Sequence, residues 1–217
     1  MGSHTICLIT GGNQGIGFEI AKQLFHTQAN WHIILGSRQF EKGKTAVADI
    51  LASSTPLTRS DNELLPIDLD VTSDTSITAV VSYISSRYGK LDVLINNAGI
   101  SQFAAANLST SREKSAHILD TNTFGASALT EACIPLLSAA KLPRVVFVSS
   151  EMGSIANALD EDVYSKELTW MCMQYKVSKA ALNMVAACFA RKFGGEGWKV
   201  NVHCPGLRRW VVLCNSS

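Results

Sequence analysis

The sequence predicts an α/β protein: a doubly wound parallel sheet of about six strands, helices on both faces, in a single domain over residues 1–217. Three observations predict it. Short apolar runs alternate along the chain with longer amphipathic stretches, the pattern of repeated βαβ units. The short runs are continuously apolar, as strands covered on both faces are. No repeat, low-complexity tract or linker divides the chain.

Each element can be read in order. "TICLIT" (5–10) is a buried strand, followed by a glycine-rich turn and a helix over 15–26. "WHIILG" (31–36) is the second strand, with a helix over 41–53, and "LLPIDL" (64–69) is the third after a polar loop at 52–63. "SITAVVSYISSRYG" has apolar residues three and four apart and predicts a helix; "LDVLIN" (91–96) is the fourth strand. One long helix is expected over 112–140, bent near Pro135, then a fifth strand in "RVVFVSS" (144–150). Residues 151–174 read as irregular, 175–193 as a helix, and "WKVNVHC" (198–204) as the sixth strand.

Composition narrows the function. Apolar residues make up 47% and charged residues 17% of the chain, values that fit a globular core and argue against disorder. The net charge of +1 and the scattered Lys and Arg give no basic face for a nucleic acid. Six cysteines form no C-x-x-C pair and no Cys/His cluster, so they read as reduced and structural, with no metal site. No apolar run reaches the ~18 residues of a membrane span. The first residues lack a basic signal-peptide region, and Ile6 stands where a myristoylation pattern needs Ser or Thr. The expectation is a soluble cytoplasmic protein.

Two stretches carry chemistry. "TGGNQGIG" (10–17) joins the first strand to the first helix. Gly11, Gly15 and Gly17 permit a tight turn and close backbone approach, and the helix they open presents free N–H groups that suit a dinucleotide pyrophosphate. The spacing is G-x-x-x-G-x-G, not the commoner G-x-G-x-x-G, and a plain glycine-rich turn is the competing reading; its place between strand and helix favours a Rossmann-type nucleotide-binding turn. At the end of the second strand, Gly36-Ser37-Arg38 offers no acid for a ribose 2′-hydroxyl. Arg38 and Lys42 either pair with a 2′-phosphate or are solvated cations; the first reading favours NADP(H). The second stretch, "YKVSK", sets Tyr175 and Lys179 one helical turn apart on one face, where an ammonium favours the phenolate and eases proton exchange.

With these residues in hand, the chain resembles the short-chain dehydrogenases/reductases, carbonyl-reductase-like members above all. "TGGNQGIG" (10–17), "NNAG" (96–99), a serine-bearing strand end (149–150), "YKVSK" (175–179) and "CPG" (204–206) fall in that family's order from residue 5 to about 207. The resemblance implies hydride transfer between NADP(H) and a carbonyl or alcohol of a hydrophobic small molecule. It makes Tyr175 the proton donor or acceptor, Lys179 its partner and a ribose contact, Ser150 the hydrogen-bond donor to the substrate oxygen, and Asn122 the support of a water-linked proton relay. Ser149 points away, since strand side chains alternate. The resemblance also sets Asn13, Gln14, Ile16 and Gly17 along the pyrophosphate and adenosine side, Asp70 and Val71 at the adenine, Asn97, Ala98 and Gly99 beneath the cofactor, and Pro205 and Gly206 by the nicotinamide. Asn122 as a turn cap and Asp70 as a plain loop acid are the competing readings. The family commonly pairs its long helices, which implies a homodimer.

Two departures stand out. The segment 151–174 is long and reads as a substrate-side insertion; Trp170, Met171 and Met173 either line a hydrophobic wall or pack the insertion down. The tail 207–217 reads "LRRWVVLCNSS", without the threonine expected after Gly206 or the segment for a seventh strand. The sheet is therefore expected to end at an exposed sixth strand, with an open nicotinamide side, whether the chain is a truncated or a natural short form. That feature supports a second hypothesis, a nucleotide-binding protein with little turnover acting as a sensor or interaction partner. An epimerase or dehydratase is a third reading, for which the chain has no room to build the longer substrate domain.

Overall fold

The computed structural model describes residues 4–53 and 61–206. Six parallel strands form one sheet: β1 (Thr5–Thr10), β2 (Trp31–Ser37), β3 (Glu63–Asp68), β4 (Val93–Asn96), β5 (Arg144–Val148) and β6 (Lys199–His203). Their spatial order is β3-β2-β1-β4-β5-β6. The chain moves outward from β1 to β3, then crosses to the other side of β1 to start β4. Adjacent loops diverge at that switch, leaving a crevice at the strands' carboxyl ends.

The side-chain period of two sorts β1 between two cores. Ile6 and Leu8 join Leu129 and Leu182 on one face, while Cys7 and Ile9 join Ala21 and Ile50 on the other. Helices α1 (Gly15–Thr27) and α2 (Phe40–Ala52) cover the second face; α3 (Asp74–Tyr88) helps cover the first. Ser73 caps α3 by accepting from Ser76 N, and Gly89 ends it with a left-handed φ of 69°. Pro66 sits in β3, which pairs only with β2 among the described residues, an edge strand where proline is tolerated. At the opposite edge β6 pairs only with β5 among the described residues, and Lys199, Asn201 and His203 are exposed there.

Two expectations need correction. The helix predicted over 112–140 is broken into α4 (Ser111–Leu119), a π-helical turn (Asp120–Phe124), α5 (Gly125–Ala132) and α6 (Ile134–Ser138). The wide turn directs Thr121, Asn122 and Thr123 inward together, a set of buried polar residues that a regular helix would spread over several faces. Gly125 follows because a Cβ there would lie 2.5 Å from the Val71 carbonyl oxygen. Pro135 occupies the first turn of α6, where its missing N–H costs nothing, so it starts a helix instead of bending one.

The segment 151–174 is also not irregular. It contains a 3₁₀ turn (Glu151–Gly153), α7 (Ile155–Leu159) and α8 (Lys166–Met171), before α9 (Met173–Phe193) begins. Ser154 and Ser165 cap α7 and α8 by accepting from Asn157 N and Leu168 N, each at 3.2 Å. Neither short helix buries a residue fully. Most of the expected polar loop at 52–63 and the whole of the tail 207–217 lie outside the described residues.

Candidate active site

The crevice between β1 and β4 is built first by Thr10 and Asn97. The Thr10 hydroxyl accepts from Asn97 N at 3.0 Å and from Ala98 N at 2.8 Å. The Asn97 amide donates back to Thr10 O at 2.8 Å and Gly11 O at 3.1 Å. Asn97 therefore fastens the glycine-rich turn to the end of β4, with both uses of its amide nitrogen spent inside the protein. Thr10 was not singled out from the sequence, although a hydroxyl on the last residue of β1 was visible there.

The turn itself fits a dinucleotide phosphate. Gly11 and Gly15 have left-handed φ values of 63° and 59°. A Cβ on Gly17 would lie 2.6 Å from Gly11 O and would collide with the Asn97 amide, so only glycine lets α1 approach the turn. Gln14, the residue before α1, is extended and makes no side-chain cap. The first N–H groups of α1, next to Gly15, Ile16 and Gly17, are thus left without a side-chain acceptor, which is what an anion needs. Asn13 is half-buried on the same turn. Arg38 and Lys42 stand exposed at the start of the α2 side, Arg38 just past β2 and Lys42 in the first turn of α2. The buried Ser37 beside them is spent on the backbone, donating to Gln39 O at 2.9 Å. Asp70 and Val71 follow β3; one Asp70 oxygen accepts from Thr72 N at 2.9 Å and Thr72 Oγ1 at 2.7 Å, and Val71 is buried. Pro205 and Gly206 follow β6, Gly206 with φ 73°.

The other half of the site lies on α9, β5 and the π-helical turn. Tyr175 is partly buried on α9, and the side-chain group that acts on its phenol is the Ser150 hydroxyl, which accepts from Met152 N at 3.2 Å. Burial pushes its pKa above the ordinary value, and the Ser150 contact only partly opposes this. The sequence led us to expect that the Lys179 ammonium would lower it. Lys179 instead donates to Val148 O at 2.9 Å and keeps its ammonium 5.7 Å from the Tyr175 ring centre. Burial lowers the Lys179 pKa to about 8. Tyr175 is consequently a neutral phenol at neutral pH, the state of a proton donor. Ser149 turns the other way, its hydroxyl buried and 3.4 Å from Lys179 O.

Asn122 is fully buried and caps no turn of its own helix. Its Oδ1 accepts from Ile100 N at 2.7 Å, and its Nδ2 donates to Ile100 O at 2.9 Å and Ser178 Oγ at 3.0 Å. A Cβ on Gly99 would lie 3.3 Å from Asn122 Oδ1 and 3.5 Å from Lys179 Nζ, so these two polar groups flank Gly99 together.

The insertion is pinned to this helix by a pair missed in the sequence. Lys176 is buried, makes no hydrogen bond through Nζ, and holds that nitrogen 3.7 Å from the centre of the Tyr164 ring. Burial lowers its pKa, while Cys172 and Glu151 nearby act in the opposite sense. Trp170 and Met171 are 77% and 51% exposed, so they do not pack the insertion down. Among the described residues no His, Cys, Asp or Glu group is arranged for a metal, no helix is long and apolar enough to cross a membrane, and Cys7, Cys133, Cys172, Cys188 and Cys204 are free thiols.

The chain and its fold have parallels among known proteins. The family model described as short chain dehydrogenase matches residues 5–209. A short-chain dehydrogenase of Penicillium roqueforti is 37% identical, over 94% of this chain and 79% of that protein. Among solved structures, menthone neomenthol reductase from Mentha piperita superimposes with a TM-score of 0.76 at 26% identity, covering 94% of this chain and 90% of that one. An active-site complex of RhlG with NADP from Pseudomonas aeruginosa gives a TM-score of 0.72 at 25% identity, covering 95% of this chain and 73% of that one. A match over nearly the whole chain, on a sheet of the same kind, leads to one conclusion: the protein belongs to the short-chain dehydrogenase/reductase family of oxidoreductases.

Proposed function

We propose that this enzyme prefers NADP(H) and reduces the carbonyl of a hydrophobic cyclic ketone of terpenoid type, with Tyr175 as proton donor. The observation that carries the reading is the gathering of Lys179, Asn122 and Tyr175: Asn122 Oδ1 and Lys179 Nζ both flank Gly99, and the Lys179 ammonium lies 5.7 Å from the centre of the Tyr175 ring. The glycine-rich turn and the start of α1 would hold the pyrophosphate, Arg38 and Lys42 the 2′-phosphate, Asp70 and Val71 the adenine, and Ala98, Gly99, Lys179, Pro205 and Gly206 the nicotinamide side. The bound cofactor supplies the hydride. Ser150 orients the substrate oxygen, Tyr175 passes its Oη proton to that oxygen as charge develops, and Lys179 and Asn122 stand behind it to restore the proton. The substrate class is supported by the menthone neomenthol reductase likeness. A homodimer through α9 is supported by the outward-facing Val177 and Met184, and sedimentation velocity at micromolar protein tests it.

The main experiment follows NADPH oxidation with menthone, other cyclic monoterpene ketones and aliphatic ketones. Turnover of the cyclic ketones is the expected result. Tight NADPH binding with no oxidation by any of them would instead favour a nucleotide-binding role without catalysis.

A further inference from the structure

Ser178 lies between the two polar groups that the sequence motif emphasises, and it is fully buried. Its hydroxyl donates to Tyr175 O at 2.8 Å, one turn back along α9. A serine bonding to its own helix in this way is common. What is specific here is the second partner: Ser178 Oγ accepts from Asn122 Nδ2 at 3.0 Å, across 56 residues of sequence. The backbone joins in, with Thr123 Oγ1 donating to Ser178 O at 2.9 Å.

The Asn122 amide has two N–H groups and one oxygen to place. One N–H goes to Ile100 O, the oxygen accepts from Ile100 N, and Ser178 takes the remaining N–H. Ser178 thereby locks the amide in one orientation and ties the π-helical turn to the turn of α9 that carries Tyr175. Both partners are fully buried, so water cannot substitute for a lost bond.

We infer that Ser178 is a positioning residue for the proton-transfer step, acting through Asn122 and the Tyr175 turn. This rests on the proposed role of Tyr175. Ser178→Ala removes both bonds; Ser178→Cys keeps nearly the same volume with a weaker donor and acceptor, and carries the test if the alanine variant folds poorly. Two measurements are made on full-length protein at matched temperature below unfolding. In the first, ketone turnover falls about 10-fold in Ser178→Ala, with a smaller loss in Ser178→Cys, while NADPH affinity stays within about 2-fold. In the second, amide hydrogen exchange at Ile100 accelerates, while Leu8 in the sheet core keeps its protection. Unchanged exchange at Ile100 overturns the inference whether or not the enzyme turns over. Faster exchange with unaltered turnover also overturns it, as Ser178 would then hold Asn122 without serving the reaction. Absence of turnover in the unmodified protein, by contrast, counts against the oxidoreductase reading, and the exchange data still decide whether Ser178 orients Asn122.

Discussion

Lys179 donates its hydrogen bond to the Val148 carbonyl at 2.9 Å and stands 5.7 Å from the centre of the Tyr175 ring. The ammonium is thus anchored to β5, buried, and lowered to a pKa of about 8 from an ordinary value of 10.5. Between these two values the unfolded chain binds more protons at this position than the folded one. Stability therefore rises with pH through that window, and the penalty of burying the charge is fully present below about 8.

Lys179→Met should remove that penalty. The shift corresponds to about 3 kcal/mol, and the orphaned Val148 carbonyl takes back part of it, leaving a gain of about 1–2 kcal/mol at pH 7. The gain should shrink as pH approaches 10.5. Urea denaturation across pH checks this, and the stabilised variant should have lost turnover.

Tyr175→Phe should reduce turnover by at least about 100-fold, since it removes the transferable proton. NADPH affinity should change little, because the glycine-rich turn is untouched. In the unmodified enzyme the phenol stays protonated past its ordinary value of 10, so the alkaline fall in ketone reduction should begin near pH 8, as Lys179 loses its proton. Steady-state rates against pH test both statements.

Arg38→Asp should narrow or reverse the preference for NADPH over NADH. It replaces a cation that can form charge-assisted bonds to a 2′-phosphate with an anion that repels it, an exchange of about 2–4 kcal/mol in relative affinity. Titration of both cofactors by protein fluorescence measures the change.

Tyr164→Leu should loosen the insertion. It removes the ring 3.7 Å beneath the Lys176 ammonium, a buried cation that makes no hydrogen bond, at a cost of about 1–2 kcal/mol. Limited proteolysis within 154–171 should quicken, and ketone turnover should suffer more than cofactor affinity.

Much of this was legible in the chain itself. Continuous apolar runs and a strand-to-helix glycine turn determined the parallel sheet, because burial on both faces and a tight phosphate turn each demand particular residue types. The boundaries of β1 and the start of α1 follow the reading to the residue. The order of motifs also identified the family, and it gathered Ser150, Tyr175 and Lys179 into one proposed site.

Tertiary structure alone decided the rest. Nothing local requires a π-helical turn at Asp120–Phe124; it forms because Asn122 and Thr123 find partners in Ile100 and Ser178, far away in sequence. The serine caps at Ser154 and Ser165 were visible, but whether such short helices form depends on their docking, which a 3.6-residue period over five or six residues does not reveal. The direction of the Tyr175 and Lys179 pKa shifts was decided in the same way. Spacing on a helix brings two residues to one face, while burial and the Val148 carbonyl, both products of packing, set which of them holds its proton.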